Sequence, residues 1–335
     1  FGAIAVGQAP RLLNPRGSLT AMRRLLIIAN PSASSFTGAL HRDVMEILSG
    51  SFAVTRVWPD DPAETKATAA RAAAEGYAVV AAMGGDGVVH HAVNGIAGTE
   101  TALGIIPAGT TNVLARILGL PERPRKTAAR LASWSPQTVR LLRIEATIDG
   151  APRSELATFA AGIGFDAAVV ARAERNPLRK NFLGGIHYAR NAARVLVTDY
   201  WFRRAHLDVA CDETRYDAVT VLCSVHWPFT FFGRVPLRLT PAPVDRPVAA
   251  VFARFPRFRS PELALRAMTG RNLSKVRGVH VVTGFETITI AADPMAQVQT
   301  DGELLGMASA IRLRPVPNGV SVLAPPATDR NAPPV

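Results

Sequence analysis

The segment YAVVAAMGGDG, residues 77–87, predicts a buried strand that runs directly into a glycine-rich turn. Residues 77–83 are an apolar run without charge, as in a strand covered on both faces of a parallel sheet. A helix predicted over residues 88–96 places the turn at a helix N-terminus, where free N–H groups favour anionic oxygens. Three glycines let the turn approach another molecule closely: Gly84, Gly85 and Gly87.

Asp86 is the only charged residue of this turn. It would repel a bare phosphate, so we interpret it as an indirect metal ligand or as an orienting group. By itself, a glycine-rich turn between a strand and a helix is also ordinary structure.

A second strand and turn follow at residues 101–112. The apolar run TALGIIPA ends in Gly109, Thr110, Thr111 and Asn112, before the helix-like VLARILGL. Two such units place both turns at the carboxyl edge of one parallel sheet, which is where open α/β sheets bind ligands.

The pair GGDG and IIPAGTTNVLAR resembles the diacylglycerol kinase catalytic-domain superfamily, which includes bacterial soluble lipid kinases and sphingosine kinases and has the NAD kinases as cousins. The resemblance runs from Met22 to about Pro325. It implies a Rossmann-like three-layer α/β domain followed by a largely antiparallel, β-sandwich-like domain, with the active site in the cleft between them.

The expected domains are a nucleotide-binding domain over residues 22–136, completed by residues 312–325, and a β-rich lipid-substrate domain over residues 137–311. Asp149-Gly150 predicts a hairpin in the second domain. Residues 183–198 predict a helical insert. We interpret residues 1–21, which lack a signal-peptide pattern, as an extension that is a candidate for disorder, and residues 326–335 as a disordered tail.

The resemblance also implies site residues. The nucleotide-binding set is Asn30, Pro31, Gly84, Gly85, Asp86, Gly87, Gly109, Thr110 and Asn112. The catalytic acids are Asp301 and Glu303 of QTDGELLG, although from the residues alone this stretch favours a plain Asp-Gly hairpin turn. Which of the two acids takes the proton is left open. The metal candidates are Asp86 and Asp245.

The chain departs from the pattern of the resembling kinases at several positions. After Asn30-Pro31 the usual glycine is missing, and serines between residues 32 and 35 either donate to phosphate or cap the helix over residues 40–48. The usual threonine is Val88, and the usual asparagine and glutamate are His90 and His91. Arg246 replaces an acid beside Asp245, which weakens the metal prediction there.

Composition narrows the class of partner. The 335 residues carry a formal charge of +12 and are 48% hydrophobic, which indicates a globular protein with an acidic partner. No run approaches the roughly 18 apolar residues of a spanning helix. Two cysteines are too few for a disulfide framework. We expect a cytoplasmic protein, peripheral at the inner membrane surface.

Aromatic residues alternate with Arg254, Arg257 and Arg259 in residues 252–259. This pattern suits transient contact with an anionic membrane surface. It also suits single-stranded nucleic acid or core aromatics beside solvated charges. We expect no nucleic-acid partner, and a homodimer is an open alternative.

The resemblance implies an ATP-dependent lipid kinase that transfers the γ-phosphate of Mg-ATP to a hydroxyl of a lipid such as diacylglycerol or a sphingoid base. The expected cofactors are ATP and Mg²⁺. Two alternatives remain: phosphorylation of a soluble acceptor such as NAD, and a non-catalytic nucleotide- or lipid-binding module.

Overall fold

The computed structural model describes residues 11–13, 19–148, 150–174 and 190–326. Strands and helices alternate in the N-terminal half, as the sequence predicts. The strands are β1 (Arg11–Leu13), β2 (Leu19–Ala21), β3 (Arg24–Ala29), β4 (Ala53–Val57), β5 (Val79–Gly84) and β6 (Ala102–Pro107). The helices are α1 (Gly38–Ser49), α2 (Pro62–Ala74), α3 (Asp86–Ile96), α4 (Val113–Ile117) and α5 (Pro124–Leu131).

Strands β3 to β6 form a parallel sheet that is covered on both faces. β4 and β5 both pair with β3, and β6 pairs with β5. Because side chains alternate along a strand, Leu25 and Ile27 pack with α1 and α5, whereas Leu26 and Ile28 pack with α2 and α3. The predicted three-layer α/β arrangement is therefore confirmed.

The C-terminal half is largely antiparallel β, also as predicted. It contains β7 (Pro136–Ile148), β8 (Ala151–Ala157), β9 (Ala160–Ile163), α6 (Phe165–Glu174), β10 (Leu207–Cys211), β11 (Thr214–Ala218), β12 (Thr220–Ser224), β13 (Thr230–Phe232), β14 (Val235–Leu237), β15 (Val248–Phe252), the helix Ser260–Thr269, β16 (Val279–Thr283), β17 (Ile288–Thr300) and β18 (Glu303–Leu323). Ile148 pairs with Ala151 across the predicted hairpin turn, of which Asp149 lies outside the described residues.

The last strand joins the two halves. The sequence predicts separate segments at residues 311–315 and 321–324, whereas β18 runs without a break over both. It pairs antiparallel with β17 and β7, and near its end Val322 pairs in parallel with Leu103 of β6. One sheet thus continues from the parallel part into the antiparallel part.

Several predictions fall at the edge of the described chain. In the N-terminal extension, β1 and β2 pair antiparallel, and residues 1–10 and 14–18 lie outside the described residues. For the predicted helical insert, residues 190–195 are helical and continue into the π-helical turn Leu196–Tyr200. Residues 175–189 and the tail from residue 327 are also outside. Among the described helices, none has the length and apolarity to cross a bilayer.

Candidate active site

The two predicted phosphate turns lie in contact at the carboxyl ends of β5 and β6. The Gly109 N–H donates to the Gly84 carbonyl over 3.1 Å. A Cβ at Gly109 would overlap the Cα of Gly85, so only glycine permits this approach. The structure therefore brings together the two glycine turns that the sequence placed at one edge of the sheet.

Asn112 closes the second turn. Its Oδ1 accepts from the Gly109 N–H over 3.0 Å, and its Nδ2 donates to the Gly109 carbonyl over 2.8 Å. Asn112 has a φ of 49°, a left-handed conformation that asparagine tolerates better than most residues. Its side chain thus holds the turn in shape, and Thr110 beside it is exposed.

The Asn30-Pro31 turn lies next to both glycine turns. The Asn30 Oδ1 accepts from the Ser32 N–H, and the Thr110 hydroxyl donates to Ser34 over 3.2 Å. The alternative interpretation of these serines as a helix cap is wrong. Thr37 caps α1 instead, because its hydroxyl accepts from the Leu40 N–H.

Asp86 orients α4 in this structure. Its Oδ1 accepts from the Val113 N–H over 2.6 Å, at the first residue of that helix. Burial raises the pKa of Asp86 to about 7, the Val113 N–H opposes this shift, and the charge of Asp301 adds to it. The orienting role is one of the two predicted for Asp86, and its role toward a metal stays a prediction.

Asp301 is buried and fully hydrogen-bonded. Its Oδ1 accepts from the N–H groups of Phe159 and Ala160, at 2.9 and 3.0 Å. Its Oδ2 accepts from the Thr158 N–H at 2.6 Å and lies 2.8 Å from Nδ1 of His90. A carboxylate offers about four lone-pair sites, and all four are used here.

Asp301 and Glu303 do not lie side by side in an extended segment. Asp301 and Gly302 form the two-residue turn between β17 and β18, with φ values of 52° and 83°. Positive φ at both central positions is typical of a type I′ hairpin turn. The plain Asp-Gly hairpin that the residues alone favour is thus the observed structure, and the turn directs the two carboxylates to different surroundings.

Glu303 faces the first glycine turn. It is half-buried, and a Cβ at Gly87 would lie 2.6 Å from its Oε1. The first residue of β18 thereby contacts the start of α3, so a carboxylate from the C-terminal half reaches the phosphate turns of the N-terminal half.

Two adjacent histidines of α3 lie in different environments. His90 is 1% exposed; burial disfavours its charged form, but the hydrogen bond and charge of Asp301 outweigh burial and raise the pKa of His90. His91 lies beside it, and burial together with the charge of His90 lowers the pKa of His91 to about 4. Sequence reasoning noted both histidines only as departures from the family pattern and missed the contact of His90 with Asp301, which no spacing rule reveals.

Helix α3 ends at Ile96, as the sequence predicts, and Asn94 and Gly95 lie in its last turn. The Asn94 side chain exchanges two hydrogen bonds with the backbone of Leu156. A Cβ at Gly95 would lie 2.5 Å from the Lys66 carbonyl of α2. These residues serve the packing of α3 against α2 and β8.

Gln299 connects the Asp-Gly-Glu turn to α6. Its Oε1 accepts from the Gly302 N–H over 2.9 Å, and its Nε2 donates to Asp166 over 2.6 Å. At this point the chain passes from β9 through Gly164 into α6. The sequence offered no signal for Gln299.

Asp245 is exposed in the loop between β14 and β15. Within the described ranges, no group of three histidine, cysteine, aspartate or glutamate side chains is arranged to hold a metal ion. Neither Asp245 nor Asp86 therefore belongs to a protein-only metal cage in this part of the chain.

Comparison with known proteins identifies related sequences. Residues 24–144 match the family model of the diacylglycerol kinase catalytic domain. The diacylglycerol kinase of Mycobacterium tuberculosis is 36% identical over 167 residues, which are 48% of this chain and 50% of that protein. The chain thus spans about half the length of this curated relative. The predicted resemblance to the diacylglycerol kinase catalytic-domain superfamily is confirmed.

Solved structures resemble the whole fold. One match is a crystal structure of a diacylglycerol kinase from Bacillus anthracis. The superposition covers 92% of this chain and 99% of that chain, with a TM-score of 0.63 and 18% sequence identity. A second structure from the same organism covers 94% and 99%, with a TM-score of 0.70 and 19% identity. At these identities the likeness shows the fold, and the predicted fold class is confirmed.

Proposed function

We propose that this chain is an ATP-dependent lipid kinase that transfers the γ-phosphoryl group of Mg-ATP to a hydroxyl of a lipid such as diacylglycerol or a sphingoid base. One observation carries the proposal: Oε1 of Glu303 lies against Gly87, so an acid from one half meets the phosphate turns of the other. Phosphoryl transfer needs this juxtaposition of held phosphates and a nearby proton acceptor.

Backbone groups would hold the nucleotide phosphates. The exposed or half-exposed turns around Ser32, Gly85 and Gly109 meet at one edge of the sheet, and α3 begins there with its free N–H groups. Because these groups are neutral dipoles fixed by the fold, they bind anionic oxygens without bringing a mobile side chain.

The described residues fit Mg²⁺ carried by the nucleotide. Mg²⁺ usually binds through one or two carboxylates together with substrate phosphates and water. Asp86, the carboxylate within the first glycine turn, has Oδ1 engaged with α4, so it would reach the cation through its other oxygen or through water. When bound, the cation would neutralise charge on the phosphates.

Glu303 is the better candidate for the base. Both oxygens of Asp301 already accept two hydrogen bonds each, and its side chain is 0% exposed, so taking a proton from a lipid would require breaking the buried network. Glu303 is half-buried beside Gly87. We assign Asp301 to positioning the turn and Glu303 to accepting the hydroxyl proton.

A lipid is the acceptor that the comparisons favour. The family model and the Mycobacterium tuberculosis relative are both described by a diacylglycerol kinase activity. The alternative of a non-catalytic module is motivated by His90, which occupies Oδ2 of Asp301 where the resembling kinases usually have asparagine.

Incubation with labelled ATP and a panel of diacylglycerol, sphingosine and NAD, followed by thin-layer separation, tests the proposal. We expect label in a lipid product, and loss of that label in Glu303→Gln. Label in NAD alone would favour the soluble acceptor. Binding of ATP without label in any acceptor would favour the non-catalytic module.

A further inference from the structure

Large aromatic side chains are exposed on the C-terminal half. Phe202 is 83% exposed and Phe258 is 81% exposed. Although the two segments are distant in sequence, the rings of Trp201 and Phe258 contact edge to face, with centroids 5.4 Å apart. Val197, on the preceding π-helical turn, is 63% exposed. We refer to Val197, Trp201, Phe202 and Phe258 as the aromatic surface.

The aromatic surface is anchored on a cluster of three rings, of which Tyr200 is buried and Phe165 and Phe255 are half-buried. The rings of Phe165 and Phe255 lie 4.4 Å apart, and those of Phe165 and Tyr200 lie 5.3 Å apart. Tyr200 is 4% exposed. Because these rings fix both segments, the exposed side chains above them project from an ordered base.

Phe165 also links this base to the candidate active site. It is the first residue of α6, and the next residue, Asp166, accepts from Gln299, which holds Gly302 of the Asp-Gly-Glu turn. The aromatic surface therefore lies over the element that borders the site on the side of the C-terminal half.

Cationic side chains flank the exposed rings in the sequence. Arg194, Arg204 and Arg254 are exposed, and the Arg203 guanidinium lies over the Tyr200 ring. Arg259 is paired with Glu262. Asp199 is an exposed acid on the same turn. Cations outnumber acids on these segments, so the local charge favours an anionic partner.

We propose that the aromatic surface docks on a bilayer that contains anionic lipid. Aromatic rings and an aliphatic side chain enter the boundary between headgroups and acyl chains, while surrounding arginines meet anionic headgroups. An exposed apolar patch bordered by charge is typical of an interaction site. The aliphatic Val197 favours a membrane over single-stranded nucleic acid, which binds by stacking on ring faces. Docking itself does not rest on the proposed function. Only the diacylglycerol substrate used in the activity measurement does.

The test is sedimentation of the full chain with vesicles of phosphatidylcholine alone or mixed with phosphatidylglycerol, at low and high salt. We expect binding to the mixed vesicles that weakens with salt, because exposed charges are screened. Phe202→Ser with Phe258→Ser should weaken it by about tenfold or more, since full burial of a phenylalanine contributes about 1.5–3 kcal/mol. Met295→Ser, at a side chain 52% exposed on β17, is the matched apolar control.

Substitution of exposed arginines tests the contribution of charge to vesicle binding. Arg204→Glu with Arg254→Glu should reduce binding to mixed vesicles, whereas Arg42→Glu, an exposed position on α1, should not. Equal binding of all variants would overturn the proposal. Binding of the wild type to a single-stranded oligonucleotide but not to vesicles would also overturn it. So would a dimer that dissociates in the phenylalanine variants while their binding to vesicles stays unchanged.

Vesicle binding and catalysis are measured separately. Phosphorylation of a short-chain diacylglycerol in detergent needs no bilayer, so its absence in the wild type would contradict the proposed function while leaving the docking result standing. The phenylalanine variants should lower activity on vesicles relative to activity in detergent. An unchanged ratio would contradict docking.

Discussion

Nδ1 of His90 lies 2.8 Å from Oδ2 of Asp301, and both side chains are almost completely enclosed by protein. This contact ties α3, which begins at the first phosphate turn, to the turn that carries the Asp-Gly-Glu residues. The contact therefore helps to hold the turn from which Glu303 reaches Gly87.

The His90–Asp301 pair should make stability depend on pH. Because Asp301 raises the pKa of His90, the folded chain keeps a proton that the unfolded chain releases near pH 6.5. This contribution to the free energy of unfolding is complete below about pH 6.5 and is lost as the pH rises through the folded pKa. Urea unfolding of wild type and His90→Asn over a range of pH measures it.

The difference between the two proteins contains the titration of His90 and its effect on the neighbouring His91. The pKa of Asp86 is raised to about 7 in the folded chain. Its contribution to the free energy of unfolding is therefore lost as the pH rises from about 4 to about 7, in the wild type and in His90→Asn alike. The groups that act on His90 are Asp301, Glu155, Glu303 and the neighbouring His91. A wild-type-minus-variant curve that is flat with pH would mean that His90 does not hold the proton.

Glu303→Gln and Asp301→Asn should have different effects. Losing a positioned base typically slows a reaction by about 10²–10⁴-fold, so Glu303→Gln should lower kcat without changing stability or ATP affinity. Asp301→Asn places an amide donor among N–H donors, and breaking a buried pair costs about 3–5 kcal/mol. Kinetics and urea unfolding on both variants check this; a stable Asp301→Asn with a large kcat loss would reverse the assignment.

Gly85→Ala should weaken ATP binding and preserve the fold. At Gly85 φ is −93° and the nearest atom to an added Cβ is 3.5 Å away, so alanine fits the protein itself. The methyl group would hold phosphate off the turn, and one hydrogen bond to a charged group contributes about 1.5–3 kcal/mol, or about tenfold or more in Kd. Calorimetric titration with ATP measures the effect.

The control for Gly85→Ala is Gly38→Ala. Gly38 begins α1, and an added Cβ there meets no atom within 4 Å. Equal ATP affinity in the two variants would remove the first glycine turn from the nucleotide site.

Gly87→Ala should act through Glu303. The added Cβ would lie 2.6 Å from Oε1 of Glu303, which must move, whereas alanine in α3 does not harm the helix. Because a displacement of about 1 Å can reduce a rate by roughly 10²-fold, we expect a lower kcat with wild-type stability. A kcat equal to wild type would separate Glu303 from the reaction. Double substitution with Glu303→Gln should add little to the loss.

Local patterns predicted most of the N-terminal half. Apolar runs of strand length and glycines at their ends identify β5, β6 and their turns, because backbone conformation and burial follow from nearby residues. The same reasoning predicted the hairpin at Gly150. It erred over the cap of α1, which is Thr37 and not one of the serines. It also gave no signal that Gly95 packs against Lys66 of α2, because that contact joins separate segments of the chain.

The sequence by itself determined the two strand-turn-helix units, their glycine turns and the presence of an Asp-Gly turn, since each depends on a few consecutive residues. Only the tertiary structure decided that Asp301 is buried against His90 while Glu303 reaches Gly87, and that Trp201 meets Phe258. The positive φ values of the turn separate two carboxylates that an extended chain would place on one side. Contacts between segments far apart in the chain have no local signature, because they depend on how whole elements pack.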